Sequence, residues 1–319
     1  MANSGSSSPP SFVGPASKIQ FPHPFSSRPT GPPPREIWDN RNARGLFHHD
    51  ICSCETKVLP GEHNFVVTLL EGRDQKKRPT EFRMNQVLQP FDGAKFNFTK
   101  VIPEEVIFTF GETRNDSGQY FDDVPHTVAA SHSAILINVS PIGYCHVLLI
   151  PQIQDCLPQR VDRESFLLAM YVAREARDPF FRVGYNSLGG FATINHLHFQ
   201  AYYLKVQYPV EKAPTEKLTT LGNGVSIIQL VQYPNFLLPQ CYAEKQALGK
   251  ASEEFLDMRI NPAVWELSGH LVLKRRKDYD GASEATICGF LVEASLSETE
   301  FLELKSRIME FLASAVPKE

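Results

Sequence analysis

The stretch Asn195-His196-Leu197-His198-Phe199-Gln200-Ala201-Tyr202-Tyr203-Leu204 decides the reading of this chain. Alternate residues of a strand share a face. On a strand over 194–204, His196, His198 and Gln200 project together, while Leu197, Phe199 and Ala201 turn into a core. A half-buried strand with a polar outer face accounts for a single histidine. Two in register with Gln200, behind a loop holding Gly184, Gly189 and Gly190, point instead to chemistry. One candidate is a metal site, because His-x-His supplies two ligands from one strand. Its common extensions fail: Tyr202, Tyr203 and Leu204 stand where a further Glu would be wanted, and the neutral Gln200 stands where a carboxylate would serve. The other candidate is attack by an imidazole on phosphorus. It needs a neutral His with its distal nitrogen free and its near nitrogen hydrogen-bonded to fix the tautomer. It also needs neutral or cationic donors around the phosphate and no competing carboxylate. Gln200 and the backbone amides of 187–190 suit that.

Working outward, 65–70, 106–110, 134–139 and 147–150 read as strands. Ser140-Pro141-Ile142-Gly143 is a turn signal that makes the last two a hairpin. Asp162 can cap a helix over 163–177, with Phe166, Met170 and Ala173 on one face. Near the end, Ser297-Glu298-Thr299-Glu300 has the form of a capping box, and Phe301, Leu304, Ile308 and Phe311 follow at helical spacing. His270 falls on a further strand, where a structural role is expected.

The 319 residues suit one large domain or two modest ones at roughly 150 residues each. A net charge of −4 argues against gripping nucleic acid or an anionic membrane by bulk electrostatics, so neither is an expected partner. No apolar run approaches the ~20 residues of a membrane helix. The six cysteines form no CxxC pair, which suggests free thiols in a reducing compartment, cytoplasmic with the nucleus as an alternative. The first 34 residues hold nine of the 24 prolines, eight serines and no acidic residue, and read as a disordered leader. Being Ser-rich and acid-poor, they also fit an organellar transit peptide, although Arg is sparse.

His196-Leu197-His198-Phe199-Gln200 resembles the motif of the histidine-triad superfamily, with Gln in place of the third His, as in its nucleotidyltransferase branch. Longer blocks resemble the family of plant GDP-L-galactose phosphorylases. They include Lys76-Lys77-Arg78-Pro79-Thr80-Glu81-Phe82-Arg83, Gln89-Pro90-Phe91-Asp92-Gly93, Phe96-Asn97-Phe98-Thr99-Lys100-Val101, and the stretches 184–204, 238–249 and 261–274. The resemblance implies an α+β fold of histidine-triad nucleotidyltransferase type, mainly antiparallel, with flanking helices. It implies a leader over 1–34, a catalytic half over 35–210 and a shortened second half over 211–319.

The implied reaction is phosphorolysis of a GDP-hexose by inorganic phosphate, through a guanylyl-histidine, with no cofactor and no metal. By resemblance His198 is the nucleophile, Gln200 donates to a phosphate oxygen, and His196 positions the segment. Asn138, Ser187, Gly189, Asn195, Arg78 and Lys100 are the candidate substrate contacts. The superfamily also makes a homodimer an expectation. GDP-D-glucose as substrate, or hydrolysis, are alternatives within the same chemistry.

Three features depart from the family. Cys145 stands where a Gly is usual before His146. The Ser/Pro leader replaces a cysteine-rich head. Tyr233-Pro234-Asn235-Phe236-Leu237-Leu238-Pro239 runs directly into Gln240-Cys241-Tyr242, where family members carry a longer segment. That shortening makes an impaired, nucleotide-binding regulatory form the alternative from another functional class.

Overall fold

A computed structural model of the chain describes residues 34–51, 54–76, 86–110, 132–222, 224–234 and 239–315. Its strands are β1 (Thr56–Val58), β2 (Val66–Leu69), β3 (Val106–Phe110), β4 (Ser133–Ile137), β5 (Tyr144–Ile150), β6 (Phe181–Gly184), β7 (Phe199–Tyr203), β8 (Thr215–Thr220), β9 (Ser226–Leu230) and β10 (His270–Leu273). Five of them form an antiparallel sheet in the order β3-β4-β5-β7-β6. β4 and β5 are β-branched and leucine-rich, and nearly every residue is buried. They pair as the hairpin that the 140–143 turn demands, with Ile137 opposite Val147. Leu197, Phe199 and Ala201 join the core on one side of this sheet, together with Trp38, Ile135, Ile137, Val147 and Leu149.

The strand expected over 194–204 begins at Phe199, so both histidines precede it. The reason is local bonding. Leu197 N–H donates to the Leu157 carbonyl, and His198 N–H donates to the Gln159 side chain. The backbone before the strand is held by a neighbouring loop, and strand pairing starts where Phe199 meets Leu149, followed by Gln200 opposite Leu148 and Gly184.

A second sheet crosses the expected division at residue 210. β1 pairs with β2, and β2 runs parallel to β10, so 56–69 and 270–273 share one sheet. All four residues of β2 and of β10 are buried, which places this sheet in a second core with Tyr242, Ile260, Ile287, Phe290 and Leu291. β8 and β9 form a separate antiparallel ribbon. Residues 235–238, at the shortened junction, and residues 1–33 of the leader lie outside the described residues, as do Lys77 and Arg78.

The Asp162 helix spans Arg163–Glu175 and carries a capping box: Asp162 Oδ1 accepts from Ser165 N–H and Ser165 Oγ from Asp162 N–H. Its buried residues are Ser165 and Ala169, whereas Phe166 and Met170 are more than half exposed. The terminal helix Glu298–Ala315 likewise starts with the expected box, Ser297 and Glu300 bonding reciprocally. Its Ile308 and Phe311 are exposed at 46% and 70%, so the apolar stripe read from its spacing is not core in this chain.

Cys145 adopts φ +53°, the left-handed region that favours glycine. It sits at the irregularity of β5 between Tyr144 and Val147, buried in the first core. Cys54, Cys145, Cys156 and Cys288 form no disulfide. No described helix is long and apolar enough to cross a membrane.

Candidate active site

His198 is buried, 4% exposed, at the threshold of β7. Its Nδ1 lies 2.8 Å from the carbonyl oxygen of His196. A carbonyl can only accept, so Nδ1 carries the proton and Nε2 keeps its lone pair. Burial pushes the imidazole pKa down to about 4, so the ring is neutral at ordinary pH. The Phe98 ring stands edge-on, 5.1 Å away between centroids. The loop before β7 is thus built to present one unprotonated nitrogen.

Gln159 holds that segment. Its Oε1 accepts from His198 N–H at 2.8 Å, and its Nε2 donates to the carbonyls of His198 and Asn186 at 3.1 and 2.8 Å. It is 1% exposed and completely enclosed by backbone. His196 is fully buried between Phe91 and Phe98, and its Nδ1 accepts from Phe98 N–H at 3.1 Å. It faces away from the cleft and ties the 96–100 segment to the histidine loop.

A cleft of about 130 Å³ opens beside His198, lined also by Asn138, Gln200, Asn186, Arg73, Trp265, Glu266 and Lys274. Asn138 sits just past β4, where its Oδ1 accepts from Ser140 N–H at 3.0 Å. The Gln200 Oε1 accepts from Trp265 Nε1–H at 3.3 Å. Gly184, paired with Gln200, admits that indole: a Cβ there would stand 2.9 Å from the Trp265 ring.

Of the residues singled out from sequence, the cleft brings together His198, Gln200 and Asn138. The other described candidates hold loops. Asn195 accepts from Gln159 N–H and donates to the carbonyls of Gln89 and Pro90. Ser187 precedes a short 3-10 turn containing the buried Gly189, and its carbonyl accepts from Gly190 and Ala192 N–H. Lys100 donates to the carbonyls of Gly93, Ala94 and Lys95 at 2.7–3.0 Å, closing the 93–95 turn.

The cations in the cleft are residues the sequence reading passed over. Arg73 is buried enough to lower its pKa, and it donates to the Ser140 carbonyl at 3.2 Å. Lys274 follows directly on β10. Glu266, also unforeseen, is a carboxyl that burial pushes up to about 7. In its protonated form it exerts none of the repulsion on phosphate that a carboxylate would. A basic residue just after an apolar strand was the available signal for Lys274; Arg73 and Glu266 had none. Among the described residues, no group of three His, Cys, Asp or Glu is placed to hold a metal ion.

Two family models match the chain: GDPGP1-like, N-terminal domain, over 35–202, and GDPGP1-like, C-terminal domain, over 235–315. Among curated proteins, it is similar to GDP-L-galactose phosphorylases 2 and 1 of Arabidopsis thaliana, at 49% and 50% identity, covering 88% of this chain and 76% and 74% of theirs. GDP-D-glucose phosphorylase 1 of Homo sapiens is 28% identical over 86% of this chain and 82% of its own. Among solved structures, yeast Ap4A phosphorylase Apa2 in complex with Ap4A superposes with a TM-score of 0.52 at 14% identity, covering 82% of this chain and 96% of that one. That likeness shows the fold, an arrangement of helices with mainly antiparallel sheet.

Proposed function

The chain belongs to the GDPGP1-like family, and on that premise we propose that it is a GDP-L-galactose phosphorylase, converting GDP-L-galactose and phosphate to L-galactose 1-phosphate and GDP. The observation that carries this is the His198 ring: Nδ1–H is donated to the His196 carbonyl, and Nε2 is left as the nucleophile at the cleft.

In the first step His198 Nε2 forms a bond to the α-phosphorus, and the bond from that phosphorus to the bridging oxygen breaks. The hexose 1-phosphate leaves with the bridging electrons. As a phosphate monoester its second pKa is near 6, so it departs at neutral pH without a strong acid. A neutral Gln200 amide therefore suffices where another enzyme of this type would place a proton donor. In the second step an oxygen of inorganic phosphate attacks the same phosphorus, and the bond to Nε2 breaks, which releases GDP and restores the imidazole. Arg73 and Lys274 supply positive charge for the phosphates, and the Asn138 and Gln200 side chains supply neutral donors. Nothing in this scheme calls for a metal.

Identity of 49–50% with the GDP-L-galactose enzymes, against 26–37% with the GDP-D-glucose enzymes, favours galactose. The test is GDP release by the purified 319-residue chain from GDP-L-galactose and from GDP-D-glucose, with and without phosphate. Phosphate-dependent release, faster from GDP-L-galactose, is expected. Release indifferent to phosphate would make the chain a hydrolase. GDP binding without release would make it a nucleotide-binding form.

A further inference from the structure

We propose that Glu266 reads the hexose: its carboxyl takes hydrogen bonds from sugar hydroxyls, with Asn261, in the approach to the same helix, as its companion. This deepens the phosphorylase reading and rests on it. The ligand class is a pyranose carrying a phosphate.

Among the described residues that line the cleft, Glu266 is the one carboxyl, and it is only 9% exposed. It forms no salt bridge with a described residue. A site for phosphates alone has no use for such a group, which repels them once ionised. The demand for it comes from hydroxyls, and a hexose offers a row of O–H groups that carboxyl and amide side chains satisfy. Position decides which hydroxyls. On the His198 side the wall is apolar: Phe98, Leu148 and Ile194 belong to one hydrophobic cluster, and Phe98 stands edge-on to the His198 ring. That wall suits a flat base. Beyond Gln200 the wall is the helix Val264–Ser268. Trp265 Nε1–H donates to Gln200 Oε1 at 3.3 Å, and Glu266 is the next residue. In-line displacement at phosphorus sends the leaving group away from His198, past Gln200 and toward this helix.

The helix is anchored at both ends. Val264 N–H donates to Asn186 Oδ1 at 2.8 Å, and Ser268 Oγ–H donates to the Val264 carbonyl at 2.6 Å. Gly269 closes the helix at φ +101° and donates its N–H to the Glu266 carbonyl at 3.1 Å. A Cβ on Gly269 would stand 2.4 Å from Pro209, so the chain packs tightly where the helix ends. The approach is fixed as well: Ala263 N–H donates to the Asn261 carbonyl at 2.7 Å, and Asn261 also lines the cleft. One short, anchored segment thus presents a carboxyl and an amide. Such rigidity lets one epimer be told from another, because a hydroxyl turned to the other face of the sugar ring leaves its buried partner unpaired.

The experiment separates the sugar from the rest of the substrate. In exchange of labelled phosphate into GDP, His198 Nε2 takes the guanylyl group from GDP, phosphate leaves, and labelled phosphate takes the guanylyl group back; no hexose is involved. Guanylyl transfer from GDP-L-galactose to His198 does involve it. Glu266→Ala should lower kcat/KM for GDP-L-galactose by about 10- to 100-fold, the scale of a hydrogen bond lost at a buried group, while the exchange falls less than about threefold. The preference for GDP-L-galactose over GDP-D-glucose should narrow in the same variant. Glu266→Gln keeps an acceptor oxygen and should recover most of the loss. Equal losses in the two reactions would overturn the proposal and assign Glu266 to the guanylyl or phosphate groups, and no loss in either would overturn it too. A wild-type chain that supports neither reaction would refute the phosphorylase reading. Calorimetry then still decides the hexose contact. The wild type should bind L-galactose 1-phosphate more tightly than inorganic phosphate, and Glu266→Ala should bind the two alike. A preference undiminished in the variant would overturn the proposal.

Discussion

The side-chain amide of Gln159 closes on the backbone of His198 from both sides, Oε1 accepting from the N–H at 2.8 Å and Nε2 donating to the carbonyl at 3.1 Å. In a sheet these two backbone groups would bond a neighbouring strand. Here one side chain does the work of a strand edge and leaves room for a cleft. The proposed nucleophile is therefore fixed by a residue 39 positions away.

Gln159→Ala removes these bonds, and the one to the Asn186 carbonyl, inside a buried pocket. It should destabilise the chain by about 2–4 kcal/mol, because buried backbone groups are left unsatisfied. It should also lower kcat by ~10- to 100-fold through loss of alignment, with a smaller change in KM. Thermal unfolding and steady-state kinetics on one preparation check both. Wild-type kcat in a destabilised protein would separate the clasp from catalysis.

The pH–rate profile follows from His198. Its pKa is held near 4 by burial, so the attacking form is fully populated well below pH 6. The acid limb of kcat/KM, measured after checking that the enzyme stays folded, should have its midpoint well below the ordinary imidazole value near 6.5. A midpoint at 6.5 would contradict the burial of this ring. On the alkaline side Glu266 loses its proton near pH 7, which places a charge beside the phosphates and should raise KM for inorganic phosphate.

Stability should fall as the solution is acidified from 6.5. His146, His196, His198 and His270 are buried with pKa values pushed down to about 3, 4, 4 and 3. Below their unfolded pKa the unfolded chain binds protons that the folded chain refuses. The folded state therefore loses up to ~1.4 kcal/mol per group per pH unit, until pH reaches the folded values. Glu266 has the opposite sign: its raised pKa costs stability as pH rises from its unfolded value toward 7. Three more groups pull one way than the other, so Tm should drop clearly between pH 7 and 5. A flat Tm over that range would contradict the account.

Cys145 offers a test of backbone strain. Cys145→Ala and Cys145→Gly both remove the buried thiol, but only Ala keeps a Cβ at φ +53°. The Gly variant should therefore be more stable than the Ala variant by about 1 kcal/mol, the usual cost of the left-handed region for a residue with a Cβ. The reverse order in urea unfolding would mean that the turn carries no strain.

Much of the fold was legible because its signals are local. The 106–110 strand coincides with β3, the Ser-Pro-Ile-Gly turn joins β4 to β5, and both capping boxes start their helices where the side chains dictate. Strand alternation brought His198 and Gln200 into view, and the family resemblance pointed to Asn138; all three line the cleft. The rest depends on contacts distant in sequence. Gln159 has no pattern that announces it, and Trp265 and Glu266 lie on the short helix Val264–Ser268, brought to the cleft by β10 pairing with β2. Alternation also overstated the length of β7, since it records which way side chains point and not which backbone groups are paired. The apolar stripes at Phe166 and Met170, and at Ile308 and Phe311, show a face without showing that anything covers it.

The most direct test of the central claim is a mass measurement on His198. The chain is mixed with GDP-L-galactose in the absence of phosphate, quenched under alkaline conditions that preserve phosphoramidates, and digested. One guanylyl group on the peptide containing His198, lost when phosphate is added with release of one equivalent of GDP, is the predicted result. An unmodified His198 in a chain that still turns over, or a His198→Ala variant that retains phosphate-dependent GDP release, would contradict it.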